Sequence, residues 1–101
     1  MSDWEPGERL VRDMGCTVDD LLRWLPGAVG HRPITWRGPA TCAVVLGRGE
    51  VVLAWTVLPP RRIALVRIQR LQLEITGRGC DGAEWAAFIA HFDAYTRRGG
   101  G

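Results

Sequence analysis

Cys80, in the run Gly77-Arg78-Gly79-Cys80-Asp81-Gly82, is the side chain best placed to act as a nucleophile. It lies between glycines and a predicted helix start, where the helix dipole lowers a thiol pKa. A thiol nucleophile also needs a base. The candidate, His91, lies two to three turns along the same predicted helix, roughly 15 Å away at 1.5 Å per residue. That is out of direct reach. The one serine, Ser2, stands at the start of the sequence, so a serine nucleophile within the fold is excluded. The reading is of no catalytic residue and no enzyme.

The same glycine-rich run resembles a phosphate-binding loop, with backbone amides and an arginine before a helix N-terminus. It lacks the Lys-Ser/Thr pair of a P-loop, and Asp81 already occupies the anion-favouring end. Gly47-Arg48-Gly49 reads as a hairpin turn. Cys16, Cys42 and Cys80 are widely spaced, odd in number and without a Cys-x-x-Cys pair, so reduced thiols are expected rather than a disulfide framework. With only His31 and His91 to add, no metal site and no cofactor is expected. Arg61, Arg62, Arg67 and Arg70 form the densest basic stretch and are candidate anion contacts. Against a nucleic-acid partner stand the net charge of only +2 and the absence of an RNP-like aromatic pattern.

All 13 basic residues are arginine, which fits codon bias in a GC-rich genome. With 47% hydrophobic and 24% charged residues, 101 residues suit one globular domain with a real core. A single domain over 1–98 and a flexible glycine tail over 99–101 are expected. The acidic start, Met1 to Pro6, does not read as a signal peptide. The longest apolar stretch, Val51 to Pro60, is about half of what a membrane crossing needs. A cytoplasmic protein without a membrane partner is the expectation.

Those groups must be positioned by local structure. Pro6 suits the first turn of a short helix with Leu10, Val11 and Met14 on one face, ended by Gly15. Thr17 reads as the N-cap of a second helix, with Asp19 and Asp20 at its positive end. Val18, Leu21, Leu22 and Leu25 follow at helical spacing, and Pro26-Gly27 is expected to stop it. After a loop with a short edge strand at 34–37, the strands 41–46 and 51–58 form a hairpin turning at Arg48-Gly49. That register sets Leu46 opposite Val51, Val44 opposite Leu53 and Cys42 opposite Trp55. Pro59-Pro60 should break the second strand. Residues 62–68 and 71–76 are two further strands or one long bent one. Asp81-x-x-Glu84 resembles a capping box, and Trp85, Phe88, Ile89 and Phe92 stripe the last helix. The fold class is α+β: short N-terminal helices, an antiparallel meander of three to four strands, and a long C-terminal helix packed on the sheet.

Both faces of the central hairpin are apolar, whereas small antiparallel sheets usually alternate apolar-in with polar-out. The surplus face carries Ala43, Val45, Val52, Ala54 and Leu58, the candidate interface. Ala86, Ala87, Ala90 and Ala94 on the back of the last helix are a second small-residue surface. Trp24, Trp55 and Trp85 fit the core, leaving Trp4 or Trp36 as an interface anchor. A homo-oligomer or a protein partner is the leading expectation. A small-molecule pocket between sheet and last helix, or an arginine-mediated nucleic-acid contact, is the alternative.

Overall fold

The computed structural model describes residues 8–97. Trp4, the Pro6 helix start, Arg98 and the glycine tail lie outside the described residues. Five antiparallel strands form one sheet in the order β1-β5-β4-β3-β2, with β1 Arg9–Met14, β2 Thr35–Gly38, β3 Thr41–Leu46, β4 Gly49–Ile63 and β5 Val66–Arg78. Helix α1, Val18–Ala28, joins β1 to β2, and α2, Gly82–Arg97, follows β5. The α+β class therefore holds, with a larger sheet than expected and, among the described residues, one helix before the β2–β3–β4 strands instead of two.

The expected first helix is β1. Leu10, Arg12 and Met14 alternate with exposed Arg9, Val11 and Asp13, and the strand pairs with β5 from Arg9–Thr76 to Met14–Leu71. A period of two, not 3.6, governs the segment. The next helix forms as expected. Asp20 N–H donates to the Thr17 hydroxyl and Thr17 N–H to the Asp20 carboxylate, a reciprocal cap. The Thr17 amide, then the Thr17 hydroxyl and Arg23, hold the Asp20 carboxyl below its ordinary range. Pro26 does not stop this helix, which runs two residues further to Ala28. Having no N–H, the proline forfeits one bond in the last turn only.

The β3–β4 turn is Gly47-Arg48, not Arg48-Gly49. Leu46 stands opposite Gly49, Val44 opposite Val51 and Cys42 opposite Leu53. Gly47 supplies the positive φ of 61° that such a tight turn needs at its first central residue. Because the register differs from expectation by two residues, every side chain keeps its expected face. Nor does Pro59-Pro60 end β4. It creates a bulge between Leu58–Arg70 and Arg61–Ile68, where a prolyl nitrogen can be accommodated without a ladder bond. The strand continues to Ile63 and turns at Ala64-Leu65, so 62–76 is neither of the two arrangements expected. Gly77 and Arg78, expected in a loop, complete β5.

Both helices pack on the same side of the sheet. Their buried side chains, Leu21, Leu25, Trp85, Phe88 and Phe92, share one core with Cys42, Val44, Leu46, Val51, Leu53, Trp55, Leu71, Leu73 and Ile75. The expected stripe of α2 is the one that docks. Asp81 caps α2 by accepting the Ala83 and Glu84 amides, while Glu84 turns toward Gly47. Arg12, on the core side of β1, makes two hydrogen bonds to Asp93 of α2, at 3.1 and 2.9 Å. His91 Nε2–H donates to the Gly27 carbonyl at 2.8 Å, tying α2 to α1.

Candidate functional site

With both helices on one side, the opposite face of the sheet is covered by no described element. Read across the ladders, its successive rows are Arg78–Glu50–Val45, Arg9–Thr76–Val52–Ala43–Thr35, Val11–Glu74–Ala54–Thr41, and Asp13–Gln72–Thr56. An aliphatic strip thus follows β3 and β4 toward Leu58. Polar and charged residues dominate the β1–β5 half.

All five predicted interface residues lie on this face, but unequally exposed. Val45 is open at 68%, Val52, Ala54 and Leu58 are half-buried among their neighbours, and Ala43 is buried at 3%. Sequence reading missed the face's charge arrangement. Arg9 pairs with Glu74, Arg70 with Asp13 at 2.5 Å, and Arg37 with Glu50 at 2.7 Å. Arg70 holds the Asp13 carboxyl, and Arg37 the Glu50 carboxyl, below the usual range. These pairs join residues 57 and 13 apart in the chain, so only the register reveals them.

The remaining candidates separate. Arg61, Arg62 and Arg67 sit beyond the bulge, on the distal part of the β4–β5 hairpin. Arg70 is already committed to Asp13. Ala86, Ala87, Ala90 and Ala94 are exposed on α2. Trp36 is 51% exposed and packs edge-on against the buried Trp55 at 5.9 Å between ring centres, so it borders the helix-covered side instead of the open face. Trp24 is half-buried against the core.

A cleft of about 440 Å³ lies where β1, α1 and the end of α2 meet, lined by Met14, Cys16, Trp24, Phe92 and Thr96 among others. Its polar residues include Arg12 and Asp93, which hydrogen-bond each other. Among the described residues no group of three or more His, Cys, Asp and Glu side chains is placed to hold a metal. No described helix is long and apolar enough to cross a membrane.

Cys80 is half-buried at the connection between β5 and α2. Its sulfur donates to the Glu50 carbonyl at 3.4 Å, and burial is the main reason its pKa is raised. His91 is occupied with Gly27, so the two do not form a nucleophile–base pair. Burial also raises the Cys16 thiol and pushes Cys42 up to about 11.

Two results are expected from these thiols. Alkylation at neutral pH should be slow for all three in the folded protein and fast once it is unfolded; selective rapid labelling of Cys80 would contradict this. The second is a pH effect. A raised folded-state pKa means the folded form holds protons that the unfolded chain, with an ordinary thiol value of about 8.5, has released. The corresponding stability is full below that value and is lost as pH rises from about 8.5 toward 11. Urea midpoints should fall across that window, and Cys42→Ala should flatten the fall. No family model, no curated protein and no solved structure matches the chain.

Proposed function

We propose that this chain is a non-catalytic interaction module that works as a homodimer through the uncovered face of its sheet. The observation that supports this reading is the placement of both helices on one side, which leaves the aliphatic strip of Val45, Val52, Ala54 and Leu58 without a covering layer. A second copy is the occupant that suits the charges. Arg9, Arg37 and Arg70 are matched one for one by Glu74, Glu50 and Asp13. Arg78, on the same face, adds one further positive charge; a surface bearing both signs in nearly equal number can meet itself across a two-fold axis, the commonest closed symmetry.

Area sets the strength. Five strands spaced about 4.8 Å apart and about 20 Å long give a footprint of roughly 500 Å². That is less than the roughly 800 Å² per partner of a standard interface, so a micromolar, concentration-dependent dimer is expected. Sedimentation equilibrium up to about 100 µM should show the mass rising from 11.2 kDa toward twice that value. Val52→Arg and Ala54→Arg should hold the protein at monomer mass. Val45→Arg is the safer variant, since that side chain is exposed in the monomer and its replacement should leave the fold intact. A wild type that stays monomeric throughout, or a Val45→Arg variant that dimerises as well as wild type, would sink the proposal.

A further inference from the structure

Beyond the Pro59-Pro60 bulge the β4–β5 hairpin leaves the body of the protein. The last fully buried side chain on this ribbon is Leu71, and residues 61–67 are all exposed. The molecule is accordingly elongated, 51 × 28 × 23 Å, with a radius of gyration of 14.3 Å where a compact chain of this length gives about 13 Å. The arm ends in Ile63, Leu65 and Val66, exposed by 54, 102 and 58%. Ala64, at its turn, holds a φ of 54°, a left-handed conformation that a non-glycine residue adopts at a cost.

The arm's charge is one-signed. No acidic residue occurs from Val51 to Leu73, while Arg61, Arg62 and Arg67 on the arm together carry more than the net charge of +2 of the whole chain. The rest of the protein is therefore net acidic. Arg62 and Arg67 stand directly opposite each other across the ladder, an arrangement that is repulsive in the free protein. They border a cleft of about 280 Å³ over the Ala64-Leu65 turn. Gln69 lies on the same side of the ribbon as this pair. Arg61, one step past the bulge, faces the other way, beside Ile68.

We propose that this arm is a binding element for duplex nucleic acid that recognises the phosphate backbone. Arg62 and Arg67 on one side of the ribbon and Arg61 on the other make the phosphate contacts. A two-stranded ribbon fits the roughly 12 Å width of the DNA major groove, and guanidinium groups on both its sides meet the two backbones that wall a groove. A lipid surface would engage only the tip. Along the groove, Gln69 can reach base edges, and the aliphatic tip can contact thymine methyls and sugars. The arm lies outside the sheet rows assigned to the dimer, so this inference stands without that reading.

The test is fluorescence anisotropy with a random-sequence duplex of about 20 base pairs, titrated with the full chain. Three phosphate contacts predict a log–log salt slope of about −2.7, or about 40-fold weaker binding between 50 and 200 mM salt. In an Arg61→Ala/Arg62→Ala/Arg67→Ala variant the affinity should drop at least tenfold and the slope should flatten toward zero. Its melting temperature should match or exceed wild type, because a like-charge pair has been removed. Val45→Arg, which tests the dimer, should leave the slope unchanged. Absence of duplex binding at 50 mM salt, undiminished binding by the triple variant, or binding to phosphatidylserine vesicles in place of the duplex would overturn the proposal.

Discussion

Phe92→Ala should destabilise the protein by about 3–5 kcal/mol, the range for aromatic truncations in cores. Phe92 is the largest fully buried side chain, at 0% exposure, and stacks on Phe88 with ring centres 6.3 Å apart. With Trp85 and Phe88 it forms the stripe that docks α2, and no other row of that helix is buried. Collapse around the void is limited on one side by the sheet. On the other, the Arg12–Asp93 pair and the His91–Gly27 bond hold the helix in place. A domain of this size has about 5–15 kcal/mol in total and shifts by roughly 4–8 °C per kcal/mol. The melting temperature should fall by roughly 12–40 °C. Urea unfolding should show a lower midpoint at similar slope; a loss below about 1 kcal/mol would mean that α2 is not docked as described.

What the sequence made legible was what a local pattern carries. The α2 stripe and the Thr17 cap are signals within one turn or a few. The two faces of β3 and β4 are readable because strand alternation survives an error of two in register. β1 was hidden because Arg12 breaks its apolar row, and the residue that neutralises Arg12, Asp93, is 81 positions away. The open face was half legible. Its aliphatic residues were evident, whereas the three ion pairs that balance its charge depend on the β1–β5 and β2–β3–β4 pairings.

The arm was illegible for a different reason. Its turn, Ala64-Leu65, contains none of the residues that mark turns, and Pro59-Pro60 reads as an end. A bulge converts that ending into a bend, after which Arg61 and Ile63, at odd positions, take the side that even positions held before it. The consequence is functional as well as structural. Arg61 and Arg62 take opposite sides by strand alternation alone, and the bulge decides that Arg67 stands with Arg62 instead of with Arg61.

The second large effect is expected from Gly49→Ala. Gly49 opens β4 opposite Leu46, where the β3–β4 turn meets the end of β5. A Cβ there would lie 2.6 Å from the Cys80 amide nitrogen and against the Arg78 carbonyl. Both are main-chain atoms, which no side-chain rotation can move aside. Arg78 is still paired with Glu50, and Cys80 hydrogen-bonds the Glu50 carbonyl, so the strand end and the approach to α2 must shift together. Overpacking of this kind typically costs about 1–3 kcal/mol, and more where backbone must yield. Gly82→Ala is the matched comparison. That glycine begins α2 with nothing within 4 Å of its added methyl, so the change should stabilise by about 0.4–1 kcal/mol through the unfolded chain. Opposite signs for one substitution at two glycines, measured by urea unfolding, would separate close packing from backbone entropy. Equal effects would show that the β3–β4 turn does not press against the β5–α2 connection.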